Sequence, residues 1–120
     1  MKRIIATDKA PAAVGPYSQA VLSNGLLFVS GQIPVNPADG TVASTIEEQS
    51  HQALKNVGAI LEAAGLGYGD VVKTTVLLSD IADFKAMNAV YAEYFTQDKP
   101  ARACFQVAAL PLGVKVEIEV

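Results

Sequence analysis

The 120 residues contain one cysteine and one histidine. A single thiol cannot close an internal disulfide, and Cys104 with His51 cannot by themselves supply the four ligands of a structural zinc site. These shortages point to a reducing, cytoplasmic setting and to no metal. Charge is scarce as well: 18% of residues are Asp, Glu, Lys or Arg, and the net charge is −3. A sequence-independent grip on nucleic-acid phosphates therefore has little electrostatic support. No apolar run reaches the ~18 residues that span a bilayer, and the N-terminal MKRIIATDKAPAAVGP has basic residues without the apolar stretch of a signal peptide. The phosphate-loop, dinucleotide, zinc-protease and serine-hydrolase motifs are also missing. With no repeat, low-complexity tract or long linker, residues 1–120 are expected to form a single domain.

About half of the residues are apolar (51%), enough for one compact domain to bury a substantial core. The mean hydropathy is positive, +0.30. In so short a chain this suggests that a partner covers some apolar surface, most simply another copy of the same chain.

Local punctuation divides the chain. Pro11, Gly15 and Pro16 make the lead-in segment irregular, and Tyr17 to Leu22 and Leu26 to Ser30 then flank Asn24-Gly25, a strong hairpin signal. Gly31 to Gly40, with two prolines, reads as a loop. Thr45 and Glu48 form a capping box ahead of Ala53, Leu54, Val57, Ile60, Leu61 and Ala64 at helical spacing, which Gly65 stops. Val71 to Leu78 is β-branched and short, hence a buried strand. A second helix, capped by Asp80 or Asp83, carries Phe84, Met87, Tyr91 and Tyr94 on one face, with Pro100 as its far limit. Arg102 to Val107 and Val114 to Val120 are the last strands. The order ββ-α-β-α-ββ makes an α+β domain, a mixed sheet with two helices on one face and the other face left for solvent or a subunit.

Three positions invite chemistry. Period-two alternation puts Arg102, Cys104 and Gln106 on one face of their strand, and Lys115, Glu117 and Glu119 on the polar face of the last one. A guanidinium at a strand end suits bidentate capture of a small carboxylate, although an exposed arginine has the same pattern. Cys104 as a nucleophile would need a base, and His51, the one histidine, sits on the flank of the first helix away from its apolar stripe. The residues by themselves suggest a buried structural thiol and a surface or interface histidine. The aromatic stripe of the second helix reads as core, with Asn88 beside it as an ambiguous polar group.

Six ordered segments carry a resemblance: Ala10 to Gln19 (APAAVGPYSQ), Ser30 to Pro34 (SGQIP), Val72 to Val76 (VKTTV), Met87 to Tyr91 (MNAVY), Pro100 to Cys104 (PARAC) and Val116 to Glu119 (VEIE). Together they resemble the reactive-imine deaminase family (RidA, YjgF) over nearly the whole chain. The resemblance implies a chorismate-mutase-like fold, a homotrimer with sites between subunits, and hydrolysis of 2-iminobutanoate and 2-iminopropanoate to 2-keto acids and ammonia without a cofactor. It implies that Arg102 holds the substrate carboxylate and that Glu117 handles water and the proton on nitrogen. Tyr17, Ser30, Gly31, Asn88 and Cys104 would line the pocket, Cys104 as wall and main-chain donor. Glu119 falls outside the motif. The chain stops at Val120, a few residues earlier than is usual in the family, so the last strand should be short. Two other activities go with the same motifs: a 2-keto-acid sensor or chaperone-like trimer, and a ribonuclease or translation inhibitor. The acidic net charge disfavours the ribonuclease, and the carboxylate at Glu117 favours catalysis over sensing.

Overall fold

The computed structural model describes residues 1–120. The hairpin forms where the Asn-Gly signal places it: β2 (Ala20–Ser23) and β3 (Leu26–Val29) are joined through Asn24 at φ 52° and Gly25 at φ 77°. Positive φ at both central residues gives the tight turn whose twist matches paired strands. β2 starts three residues later than the alternation suggests. Pro16 and the main-chain bond from Tyr17 N to Gly15 O (2.8 Å) keep that stretch curled.

An additional strand, β1 (Lys2–Ile5), pairs antiparallel with β2. Its four residues are too few to show a period, so the N-terminal segment reads as irregular from sequence although Ile4 and Ile5 favour strand.

The other three strands are β4 (Lys73–Leu78), β5 (Ala101–Gln106) and β6 (Val116–Glu119). β4 lies between parallel β5 and antiparallel β6. The two three-stranded halves are joined at β6: Val29 N donates to Val120 O (2.9 Å), Gln32 N to Ile118 O (2.8 Å) and Ile118 N to Gln32 O (3.1 Å). The result is one mixed sheet in the order β1-β2-β3-β6-β4-β5.

Both helices cover one face. Thr45 caps α1 (Ile46–Ala63), its Oγ1 accepting from Glu48 N (3.1 Å) and donating to Glu48 Oε1 (2.9 Å), and the helix ends at Gly65 with φ 76°. Of the expected apolar set of α1, Ala53, Leu54, Val57, Ile60 and Leu61 are buried, and Ala64, the C-cap, is half-buried. It packs on Val76 and Leu78 of β4 and Val116 and Ile118 of β6. A short 3-10 turn capped by Asp80 leads into α2 (Phe84–Tyr94), whose Met87 and Tyr91 reach the same core. No helix is long and apolar enough to cross a membrane.

The strand register decides which residues lie on the face without helices. Ile4, Val21 and Phe28 are neighbours there, as are Leu77, Phe105 and Glu117. Phe28 and Phe105 are 58% and 48% exposed. A largely apolar sheet surface is thus left without cover in the single chain.

Candidate active site

Arg102 lies on β5, the edge strand, directly beside Thr74 of β4 and facing α2. Its only side-chain hydrogen bond within the chain runs from Nη1 to Asn88 Oδ1 on α2, at 2.6 Å. The guanidinium carbon lies 4.7 Å from the centre of the Tyr91 ring and 5.4 Å from that of Phe84. Two aromatic faces and one amide therefore locate the cation, and the rest of its five-donor fork is free to meet a ligand. Asn88 and Arg102 come together as the motif implies.

Cys104 follows two residues along β5, on the same face as Arg102, and is half-buried. Burial pushes its thiol above the ordinary value, and the Arg102 charge pulls the other way with less effect. At neutral pH the sulfur keeps its proton, so the arrangement is that of a wall and not of an activated nucleophile.

Glu117 is on the opposite face. It is the β6 neighbour of Leu77, which is three residues from Thr74, and an odd step along a strand reverses the face. The Ser30–Gln32 segment runs beside it: a Cβ on Gly31 would come within 2.9 Å of the Glu117 Cδ. A side chain at that position would push the Glu117 carboxylate aside, so the glycine leaves it room where it stands. Burial, and secondarily the Glu119 charge, raise the Glu117 pKa above its ordinary value. Ser30 is held by its hydroxyl donating to Ser18 O (2.6 Å) and its N–H to Gln19 O (2.9 Å). Tyr17, three residues upstream of β2, is half-exposed.

The structure therefore assembles two half-sites and keeps them apart. Arg102, Asn88 and Cys104 are on the helix side of the edge strand, while Ser30, Gly31 and Glu117 are on the bare side of the sheet. Within one chain the guanidinium and the carboxylate cannot face one cavity. His51 takes part in neither: its Nδ1 lies 2.8 Å from Tyr94 Oη and its Nε2 3.7 Å from Glu93 Oε2 on the surface. Two surface grooves, of about 410 and 610 Å³, are lined by neither Arg102 nor Glu117.

Two glutamines that sequence reasoning left without a role support these half-sites. Gln19 is buried, accepts from Thr7 N (2.7 Å) and donates to Pro11 O (2.8 Å), which ties the lead-in segment to the stretch with Tyr17 and Ser18 just ahead of β2. Gln32 is buried and donates through Nε2 to Ser30 O (3.0 Å). The signal for both was a long polar side chain at a strand end next to a proline- or glycine-containing segment whose main-chain carbonyls need donors.

Residues 7–120 match the family model described as Endoribonuclease L-PSP. The chain is 53% identical over 119 residues to "Reactive Intermediate Deaminase A, chloroplastic" of Arabidopsis thaliana, with 98% of this chain and 64% of that one aligned, so it spans slightly under two thirds of that relative. It is also 53% identical over 120 residues to the 2-iminobutanoate/2-iminopropanoate deaminase of Homo sapiens, covering 99% of this chain and 88% of the relative. The crystal structure of the Escherichia coli YjgF gene product superimposes with a TM-score of 0.94 at 51% identity, over 98% of this chain and 94% of that one.

Proposed function

Because the chain belongs to the Endoribonuclease L-PSP family, which includes the reactive-imine deaminases (RidA, YjgF), we propose that it hydrolyses 2-iminobutanoate and 2-iminopropanoate to 2-keto acids and ammonia. The observation that carries the reading is the Arg102 guanidinium, held by Asn88 and two rings with donors to spare for a small carboxylate. An imine carbon is already electrophilic. Water adds to C2 as Glu117 takes one of its protons and passes it to nitrogen, which gives an amino-alcohol; the remaining hydroxyl proton then moves through Glu117 to nitrogen, and ammonia leaves as the C–N bond breaks and the carbonyl forms. The raised Glu117 pKa fits the uptake of the water proton, because a carboxylate with a higher pKa is the stronger base. No cofactor enters the balance.

The site is completed between copies of the chain. Arg102 is on the edge strand and Glu117 on the bare sheet face, so the edge of one subunit laid on the face of the next brings the two half-sites into one cleft and covers Phe28 and Phe105. An edge-on-face contact is heterologous, and the family resemblance makes its product a closed ring of three chains. Sedimentation at micromolar concentration is expected to give a single species of three chains, and a stable monomer would remove the composite site. The lone thiol and low net charge support a cytoplasmic enzyme that is not a nucleic-acid binder.

The activity is tested by generating 2-iminobutanoate in situ with a threonine dehydratase and following keto-acid release. Acceleration by the protein is the expected result, and its absence would favour a 2-keto-acid sensor. Cys104→Ser is expected to retain most of that activity, within about threefold, since a protonated and half-buried sulfur contributes shape alone. Loss of turnover in a folded, trimeric Cys104→Ser protein would make the thiol a participant.

A further inference from the structure

Tyr91 reads from sequence as core, and most of its ring is: it is 7% exposed and packs at a tilt on Phe95 with centroids 4.6 Å apart. Its hydroxyl does something a phenylalanine could not. It lies 2.8 Å from Thr74 Oγ1, and Thr74 is fully buried. Thr74 is also the residue directly beside Arg102 across the parallel β4–β5 ladder. The ring is thus held by its tilted contact with Phe95 and at its tip by the strand neighbour of the arginine, and the guanidinium carbon lies over it at 4.7 Å from its centre.

We infer that Tyr91, seated by Thr74, is a positioning residue that sets the plane of the Arg102 guanidinium and so the affinity for the substrate carboxylate. This rests on the assignment of Arg102 as carboxylate clamp. An arginine at the start of an edge strand has a long, freely rotating side chain, and bidentate recognition demands one orientation of its fork. Asn88 fixes one nitrogen and leaves rotation about that bond open. A ring face against the guanidinium plane removes that rotation, because the cation is attracted to the face and repelled by the edge. The buried Thr74–Tyr91 hydrogen bond prevents the ring from turning, and neither hydroxyl is left without a partner. Phe84, at 5.4 Å, adds a second aromatic neighbour without a polar anchor of its own.

The expected consequence is a change in binding and not in chemistry. Tyr91→Leu should raise KM for 2-iminobutanoate and Kd for 2-ketobutyrate about five- to thirtyfold, the range spanned by a cation–π contact, with kcat changed by less than about threefold. Tyr91→Phe keeps the ring and should recover most of the loss, and Thr74→Val, which removes the seat, should resemble Tyr91→Phe. The decisive measurement is a double-mutant cycle against Arg102→Lys, with Kd for 2-ketobutyrate as the readout. If Tyr91 acts through the guanidinium plane, Tyr91→Leu has little further effect once that plane is gone. A role in core packing alone would weaken binding equally in both backgrounds and would overturn the inference. Normal binding by a folded Tyr91→Leu protein while Arg102→Ala fails to bind would overturn it too, leaving the clamp intact. Normal binding by Arg102→Ala would instead remove the clamp on which it depends.

Discussion

Glu117→Gln should reduce turnover of 2-iminobutanoate by ~10²–10⁴, the usual worth of a general acid–base group, while a 2-keto acid still binds. Glutamine keeps the shape beside Gly31 and can still hydrogen-bond to water, but it can neither accept the water proton nor return it to nitrogen. The pH dependence should change in parallel. Burial and the Glu119 charge hold the Glu117 carboxyl above its ordinary 4.5, so the acid limb of kcat/KM should lie above that value and disappear in the variant. Stability has a matching sign. A carboxyl whose pKa is raised in the folded protein binds protons more tightly folded than unfolded, so wild type loses stability as the pH rises from 4.5 through the folded value. Glu117→Gln escapes that loss and should be relatively more stable at neutral pH. Turnover at the wild-type rate, with an unmoved acid limb, would exclude Glu117 from the proton transfers.

Arg102→Ala should lose both steps, since without the carboxylate anchor neither substrate nor product is held. A hydrogen bond to a charged group contributes about 1.5–3 kcal/mol, so removing one lowers kcat/KM by roughly ten- to a hundredfold, and removing the whole fork lowers it further. Arg102→Lys should fall between the two. A lysine keeps the charge but offers a point where the carboxylate needs two parallel donors, and its ammonium has no planar face to lie on Tyr91. Titration of each variant with 2-ketobutyrate separates the roles: Glu117→Gln retains binding, and Arg102→Ala does not. Wild-type kinetics in a folded Arg102→Ala assembly would refute the clamp.

The elements that could be read in the sequence were those with a strong local cause. Asn24-Gly25 demands positive φ at two successive residues, and Thr45 with Glu48 satisfies the first-turn donors of α1, so both hold whatever the tertiary context. β1 was not readable because four residues carry no usable period, and it exists by pairing with β2. The start of β2 was misplaced because Tyr17 to Gln19 has strand-like composition while Pro16 and the Gly15 carbonyl keep its main chain out of the ladder.

At the site, alternation alone correctly put Arg102 and Cys104 on one face and Glu117 with Glu119 on another. It could not relate the two faces, because that depends on β4 joining β5 in one register and β6 in the other. The separation of Arg102 from Glu117 is therefore a property of the assembled sheet. Tyr91 was hidden for a related reason: helical spacing identifies a core face, but not that a ring on it meets a cation from a strand.

The position of β6 has a bearing on how the chain acquires this shape. Although last in sequence, residues 116–119 lie in the middle of the sheet, between β3 and β4, and carry Val116 and Ile118 into the core. A ribosome releases these residues after every other element, so the β1–β3 meander and the β4–β5 pair emerge earlier with facing edges unpaired. The sheet cannot close until β6 has emerged, and the nascent chain exposes two open edges for that interval. The joining contacts, Val29 with Val120 and Gln32 with Ile118, span roughly three quarters of the sequence, which places the folding rate toward the slow end for a domain of this size.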